Sequence, residues 1–352
     1  MQFSFTDEQI LIADSVRRFF LDNATSARTR DAMADQGMDG ALWQAFVNEL
    51  GLAGVVIPEA HRGAGLGMVE LAIIAEAAGA QVAALPLLGL VQASQALLAG
   101  GSAAQQAHWL PRLADGRTLA ACAESGAIEV SGNRLSGSCD FLPHGTVANL
   151  FVVAADSGLW LVEADAPGMT VTPRTTMDQT RPFARLTLAR TPAEPLADGE
   201  RARAAATAGG LICLAAEALG GAQSCLDRTV TYALDRVQFG RPIGSFQAYK
   251  HRLADMMVDI EQARSAVYWA ACAIDEGSPE ATLALHAAKA FAADTYFRCA
   301  GDMIQLHGGI GFTWEHDAHL FLKRAKAIQH MLGGSDWHRE QIARLIGLGE
   351  TA

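Results

Sequence analysis

The chain is short of basic residues and lacks the spacings that most metal and cofactor sites need. Its 27 lysines and arginines stand against 38 acids, a net charge of −11. A nucleic-acid partner would need a basic face to displace counterions, so none is expected. Six cysteines, at 122, 139, 213, 225, 272 and 299, form no C-x-x-C or other paired spacing. That excludes a zinc knuckle or disulfide framework and leaves reduced, buried thiols. Among ten histidines only His316 and His319 share a helical face with acids nearby, a spacing that reads as polar helix surface, so no metal is expected. No G-x-G-x-x-G joins a strand to a helix, which disfavours a Rossmann site. The opening "MQFSFTDEQILIADSVRRFF" carries acids early and apolar residues at helical spacing, unlike the basic start and apolar block of a secretory signal. With no membrane-spanning run, a cytoplasmic protein is expected.

What is present is a globular composition, half hydrophobic and 18% charged, rich in the Ala and Gly that let helices pack closely. A length of 352 residues exceeds one ordinary core and suggests two or three structural units. Residues 1–115 read as an N-terminal helical domain, with apolar residues at i, i+3, i+4 in "TDEQILIADSVRRFFLDN", "GALWQAFVNELGLAGV", "MVELAIIAEAAGAQVAAL" and two later runs. Thr6 with Gln9 fits a capping box, and Ser102 opens another helix. Residues 116–203 switch to short β-forming runs, "LFVVAA", "LWLVEA", "MTVTP" and "RLTLAR", between turn signals. Residues 204–352 return to helical period in runs long enough for a bundle that packs as an oligomer core. The expected class is therefore mainly α with a central β domain.

Two stretches break the helical pattern. "RVQFGRPIGSFQAYK", Arg236 to Lys250, places an arginine, glutamines, aromatics, a proline and two glycines where a helix hairpin must reverse; alone it reads equally as a polar turn. "QLHGGIGFTWEHDAHLFLKRAK", Gln305 to Lys326, ends the third long helix with Gly308, Gly309 and Gly311, whose backbone can approach a ligand and offer N–H donors to phosphate. An arginine fork, amides and glycine backbone in paired loops suit a dinucleotide held by helices.

These motifs resemble the acyl-CoA dehydrogenase family over almost the whole chain: "FTDEQ" near the start, "HWLPRLADG" closing the first domain, R-x-Q-F-G-R-P-I-G-x-F-Q from Arg236 to Gln247, and Q-x-H-G-G-x-G-F-T-x-E from Gln305 to Glu315. The resemblance implies the acyl-CoA dehydrogenase fold, with a β-barrel-like middle domain and a C-terminal four-helix bundle. It also implies FAD bound across a subunit interface, an acyl-CoA substrate and electrons passed to an electron-transfer flavoprotein. By motif, Arg236, Gln238, Phe239 and Gln247 would contact the adenine–pyrophosphate end of FAD, and Gln305, Gly308 and Gly309 would line it from a subunit partner.

The family reaction needs a carboxylate to take the α-proton. Many members carry it after the G-G-x-G motif, where "HMLGGSDWHRE" has Leu332; a second subgroup carries it on the first long C-terminal helix, at the place of Gly210. The acid in the apolar run "GGLICLAAEALGGAQ" is Glu217, seven residues beyond Gly210 and on the same helical face. Apolar company would raise its pKa and suit it as the base; the competing reading is a buried acid paired with an arginine. The β domain departs from the family too, with Ala123, Ser125, Phe141 and Pro143 at places of flavin-ring contacts. Such losses resemble the short subunits of α2β2 acyl-CoA dehydrogenases acting on steroid side chains, as do "MDQTRPFARLTL" and "GGSDWHRE". Three readings follow: an acyl-CoA dehydrogenase for a bulky or steroid-derived thioester, as a homotetramer or α2β2 heterotetramer; a non-catalytic subunit completing a partner's FAD site; and a DNA-binding flavoprotein of the same fold, disfavoured by the acidic balance. In the last helix Ser335 is the expected N-cap, with His338 on a packing face.

Overall fold

The structure is a computed structural model describing residues 4–35 and 37–348; residues 1–3, 36 and 349–352, including the outer ends of the first and third expected domains, lie outside the described residues. In chain order, the helices α1 (Asp7–Asn23), α2 (Ser26–Ala34), α3 (Gly40–Ala45), α4 (Met68–Ala80), α5 (Leu87–Gly100) and α6 (Ala103–Ala114) come first. Strands β1 (Ala120–Ala123), β2 (Ala127–Val130), β3 (Arg134–Pro143), β4 (Leu150–Ala155), β5 (Gly158–Glu163), β6 (Met169–Arg174), β7 (Phe183–Pro192) and β8 (Glu194–Pro195) follow. Helix α7 (Gly199–Asp235), the short strands β9 (Val237–Gln238) and β10 (Arg241–Pro242), and helices α8 (Gln247–Asp275), α9 (Ala281–His307), α10 (Ala318–His330) and α11 (Ser335–Leu345) complete the chain. Helices, then sheets, then helices is the expected class.

By its contacts the chain forms two compact units. The first comprises Met1–Ser26, Met68–Ala83 and Leu214–Ala352, and the second Ala27–Gly67 and Ala84–Cys213. In the first, α1 packs on α4, α4 on α8, and α8, α10 and α11 on α9. Glycines set how closely α4 and α7 cross: a Cβ at Gly79 would lie 2.1 Å from the Glu217 carbonyl oxygen, and one at Gly220 would lie 1.8 Å from that of Glu76. Backbone meets backbone there, so only glycine fits. The carboxylate of Asp275 accepts from the Met68 and Val69 amides at 2.8 and 3.1 Å, capping the start of α4 from another helix. By length and composition α7 could cross a membrane, but 78% of its most apolar window is buried within the fold, as in the core helix of a globular protein.

In the second unit two four-stranded sheets, ordered β1-β4-β5-β8 and β2-β3-β7-β6, bury a shared core that includes Ala121, Leu135, Phe151, Val153, Leu186 and Leu188. All pairings are antiparallel except β1 with β4. Helix α5 packs on β1, where a Cβ at Gly89 would lie 2.0 Å from the Ala120 carbonyl oxygen.

Both capping boxes form, Thr6 with Gln9 and Ser102 with Gln105. Ser335 is not the N-cap: Gly334 is, and Ser335 is the first helical residue, its hydroxyl donating to Asp294 of α9 at 2.7 Å. The tertiary acceptor takes the hydroxyl that a cap would aim at its own helix. Helix α2 and strands β1 to β3 were not among the expected elements; their Ala, Ser and Gly content leaves little apolar period. None of the six cysteines forms a disulfide.

Candidate cofactor and proton-transfer residues

The stretch after α7 is a β-ribbon rather than a plain helical turn. Gln238 pairs with Arg241 and Val237 with Pro242, and the two residues between them, Phe239 and Gly240, have φ of 52° and 74°. Positive φ at both central positions is the tight hairpin geometry that matches strand twist. The ribbon is anchored at its foot by Arg236 N–H donating to Tyr232 and Ile243 N–H donating to the Arg236 carbonyl. Arg236, Gln238 and Gln247 are exposed, and Phe239 is 92% exposed, with its edge toward Phe246. Apart from Phe246, the Phe239 ring at the tip of the hairpin is left open to solvent.

The glycine turn ending α9 is equally open. Gln305, Gly308 and Gly309 are exposed, Gly308 has a φ of 63°, and a Cβ at Gly308 or Gly309 would meet nothing within 4 Å. Gly311 differs, since a Cβ there would press on the Ile304 carbonyl at 2.7 Å. The structure joins the roots of the two segments. Tyr232 stacks on His307 at 4.4 Å, the Tyr249 hydroxyl donates to the Leu306 carbonyl at 2.9 Å, and His307 Nδ1 meets the Met303 carbonyl at 2.7 Å. Burial lowers the His307 pKa and raises that of the Tyr249 hydroxyl, so both stay neutral at neutral pH. Tyr232 and Tyr249 lie four residues before and two after the motif span, and helical spacing could have found them.

Glu217 is buried, 6% exposed, and its Oε1 accepts from Arg324 Nη1 at 2.5 Å; both side chains are almost fully enclosed. The fold supplies the counter-ion from α10, and the paired-acid reading of Glu217 is the arrangement present. Leu332 lies on the turn between α10 and α11 with a φ of 55°, followed by Gly333 at 103°. The Lys289 ammonium, fully buried on α9, donates to the Gly333 carbonyl at 3.4 Å.

In the second unit, Ala123 is buried at the end of β1 and Ser125 is exposed just after it. Phe141 sits in an irregular stretch of β3 between Cys139 and Leu142, with a φ of 58° and 65% exposure. Glu124, which no motif singles out, has a strongly altered carboxyl. Burial pushes it up to about 7 against the pull of Arg203, and Gln92 donates its side-chain amide to Oε1. Among the described residues no cluster of His, Cys, Asp and Glu is arranged to hold a metal.

The description "Acyl-CoA dehydrogenase, N-terminal domain" matches residues 6–117, and "Acyl-CoA dehydrogenase, C-terminal domain" matches residues 198–347. The chain is 40% identical over 344 residues to acyl-CoA dehydrogenase IpdE2 of Mycobacterium tuberculosis, covering 96% of each. Among solved structures it superposes on a chain of the steroid ACAD Tcur3481–Tcur3483, a variant form, with a TM-score of 0.90 and 32% identity over 98% of this chain and 99% of that one. It also superposes on a chain of the ChsE4–ChsE5 complex of Mycobacterium tuberculosis with a TM-score of 0.92 and 28% identity, covering 100% of both. The agreement of both terminal-domain matches with a full-length relative at this identity places the protein: the chain belongs to the acyl-CoA dehydrogenase family.

Proposed function

We propose that the chain is one subunit type of an FAD-dependent acyl-CoA dehydrogenase that introduces an α,β double bond into a bulky, steroid-derived acyl-CoA, and that a second chain type supplies the base. The single observation that carries this reading is the state of Glu217, whose carboxylate is held by Arg324 inside the helical unit. The other two places where the family keeps its base have Leu332 and Gly210, which take no proton. The likeness to the steroid ACAD supports the substrate class, and the likeness to a chain of the ChsE4–ChsE5 complex supports an assembly of two chain types.

The residues fit FAD. Open backbone at Gly308 and Gly309 leaves room for a phosphate against N–H donors, and Arg236, Gln238, Phe239, Gln247 and Gln305 offer a guanidinium, amides and a ring on exposed segments. FAD held by these residues would supply the acceptor for the hydride lost from the β-carbon, the second chain's carboxylate would take the α-proton, and an electron-transfer flavoprotein is the proposed electron acceptor. Tyr232, Tyr249 and His307 hold the ribbon and the glycine turn to one geometry, which matters because a loosely placed clamp loses affinity.

The test is the visible absorption spectrum of the purified chain with and without added FAD, followed by thioester turnover alone and with its co-expressed partner. We expect no turnover from the chain alone and flavin-dependent turnover from the pair. Turnover by the chain alone that is lost in Glu217→Gln would overturn the proposal and make Glu217 the base.

A further inference from the structure

The second unit contains a cavity of about 90 Å³ among β1, β4, β5 and the first turns of α7. Val152, Ala154 and Leu159 from the sheet and Ala206 from the helix wall it with hydrocarbon, and the side chains of Glu124, Arg203 and Thr207 reach it as well. Arg203 is exposed as a residue and marks the rim; its Nη2 donates to the Ala155 carbonyl at 2.6 Å, and among the described residues it stands in no ion pair. A positive charge with N–H donors to spare is thus fixed at the mouth of a mostly apolar space. The acid facing it does not cancel it. Gln92, 3% exposed on α5, engages the Glu124 carboxyl, and burial pushes that carboxyl up to about 7 against the pull of Arg203. The other titratable groups that face Glu124 are the thiols of Cys122 on β1 and Cys139 on β3, both raised by burial, so Arg203 is the charge that acts on it.

We infer that this cavity is a binding site for a free short-chain monocarboxylate such as propanoate, its carboxylate held by Arg203 and Thr207 and its alkyl end laid against the hydrocarbon wall. Every residue of the site belongs to the second unit, whereas the segments proposed for FAD belong to the first, so the inference stands or falls without the dehydrogenase reading. The guanidinium supplies the counter-charge and the forked N–H donors that a carboxylate accepts, and the Thr207 hydroxyl donates to a remaining lone pair. Val152, Ala154, Leu159 and Ala206 receive the alkyl carbons, which chloride and formate lack. The volume, several times what one water requires, suits a short chain. A guest ammonium would meet Arg203, and a dicarboxylate would carry a second charge into hydrocarbon without a partner. Glu124 takes part through its proton: as a neutral acid it donates to the guest, and as an anion it repels the guest and competes for Arg203. Binding is therefore linked to a proton held at Glu124, so affinity is full below about 7 and is lost as pH rises through that value.

The experiment is a calorimetric titration of the full chain, with FAD and its partner where these co-purify, using sodium propanoate at constant ionic strength in two buffers of different ionisation enthalpy. We expect saturable binding that weakens about 10-fold between about pH 6 and about pH 8, with about half a proton taken up per guest at about pH 7. Glu124→Gln, which keeps a donor and cannot ionise, should bind propanoate equally well at both ends of that range and take up no proton. Arg203→Met should weaken binding by about 10-fold or more, the scale of a lost charged hydrogen bond, and Thr207→Val by about 5-fold. Formate should bind about 10-fold more weakly than propanoate for want of carbons to bury, and chloride more weakly still. Where Arg203→Met does not fold, Glu124→Gln and Thr207→Val carry the comparison. Lack of saturable binding by the unaltered protein, affinity and pH dependence that survive in every variant, or formate or chloride binding as tightly as propanoate overturns the site.

Discussion

Two carboxylates, one in each unit, receive opposite treatment from the fold. Glu217 sits in an apolar helix and is met by a guanidinium, which closes it into a buried pair. Glu124 has an amide as its close partner and no guanidinium in an ion pair with it among the described residues, and burial lifts it into the neutral range. The apolar run around Glu217 announced burial correctly but said nothing of the counter-ion, which arrives from 107 positions further along the chain. Glu124, in the plain segment "CAESG", announced nothing. Burial raises a carboxyl only where no cation is close enough to offset it; Arg203 pulls on Glu124 more weakly than burial pushes.

Breaking the Glu217 side of this contrast should have the largest effect. Arg324→Met leaves a buried carboxylate without its partner and should cost about 3–5 kcal/mol of stability, read from urea unfolding midpoints. Replacing both residues together, Glu217→Gln with Arg324→Met, should recover much of that loss. A single-variant cost under about 1 kcal/mol would mean that the pair is not the buried ion pair described.

The Glu124 side should respond with the opposite sign. Between about 4.5 and about 7 the unfolded chain has released this proton while the folded chain still holds it, so stability should fall as pH rises through that window. Glu124→Gln keeps the shape without the charge, so at about pH 8 it should be more stable than the parent by about 3 kcal/mol, with the difference vanishing at about pH 4. A difference that does not vary with pH would show that the carboxyl is not displaced by burial.

A third buried charge sharpens the comparison at smaller amplitude. Lys289 is fully buried, and burial lowers it to about 8, opposed by Asp294. The unfolded chain keeps that proton up to about 10.5, so folding should strengthen as pH rises from about 8 toward that value. Lys289→Met, similar in volume, should abolish this rise and stabilise the protein by about 1 kcal/mol at about pH 7. Loss of stability there instead would mean that the bond to Gly333 outweighs the desolvation of the ammonium.

Much of the fold was legible because long apolar periods carry their own evidence. The runs that became α1, α8 and α9 carry apolar residues at helical spacing, α4 is apolar almost all round and buried on most sides, and "LFVVAA" and "LWLVEA" became the paired strands β4 and β5. Helix α2 and strands β1 to β3 escaped because their small and polar residues pack through backbone and neighbours rather than through a stripe of their own. The ribbon after α7 was marked by its Phe-Gly pair, yet its hairpin form needed the positive φ at Phe239, a residue that takes such a conformation only when its surroundings hold it there.

By itself, then, the sequence determined the order helices–sheets–helices, the want of paired cysteine spacings and the two breaks in helical pattern that became the ribbon and the glycine turn, because each of these is written in residue type and local spacing; the resemblance to the family added that Leu332 and Gly210 stand where a base would be expected. Only the tertiary structure decided which acid is neutralised and which can change its proton. That choice depends on what distant elements bring within hydrogen-bond reach: Arg324 to Glu217, and Gln92 to Glu124, with the cavity beside it. No local pattern encodes such partners, since the field at a buried carboxyl is set by through-space neighbours and by the water they exclude.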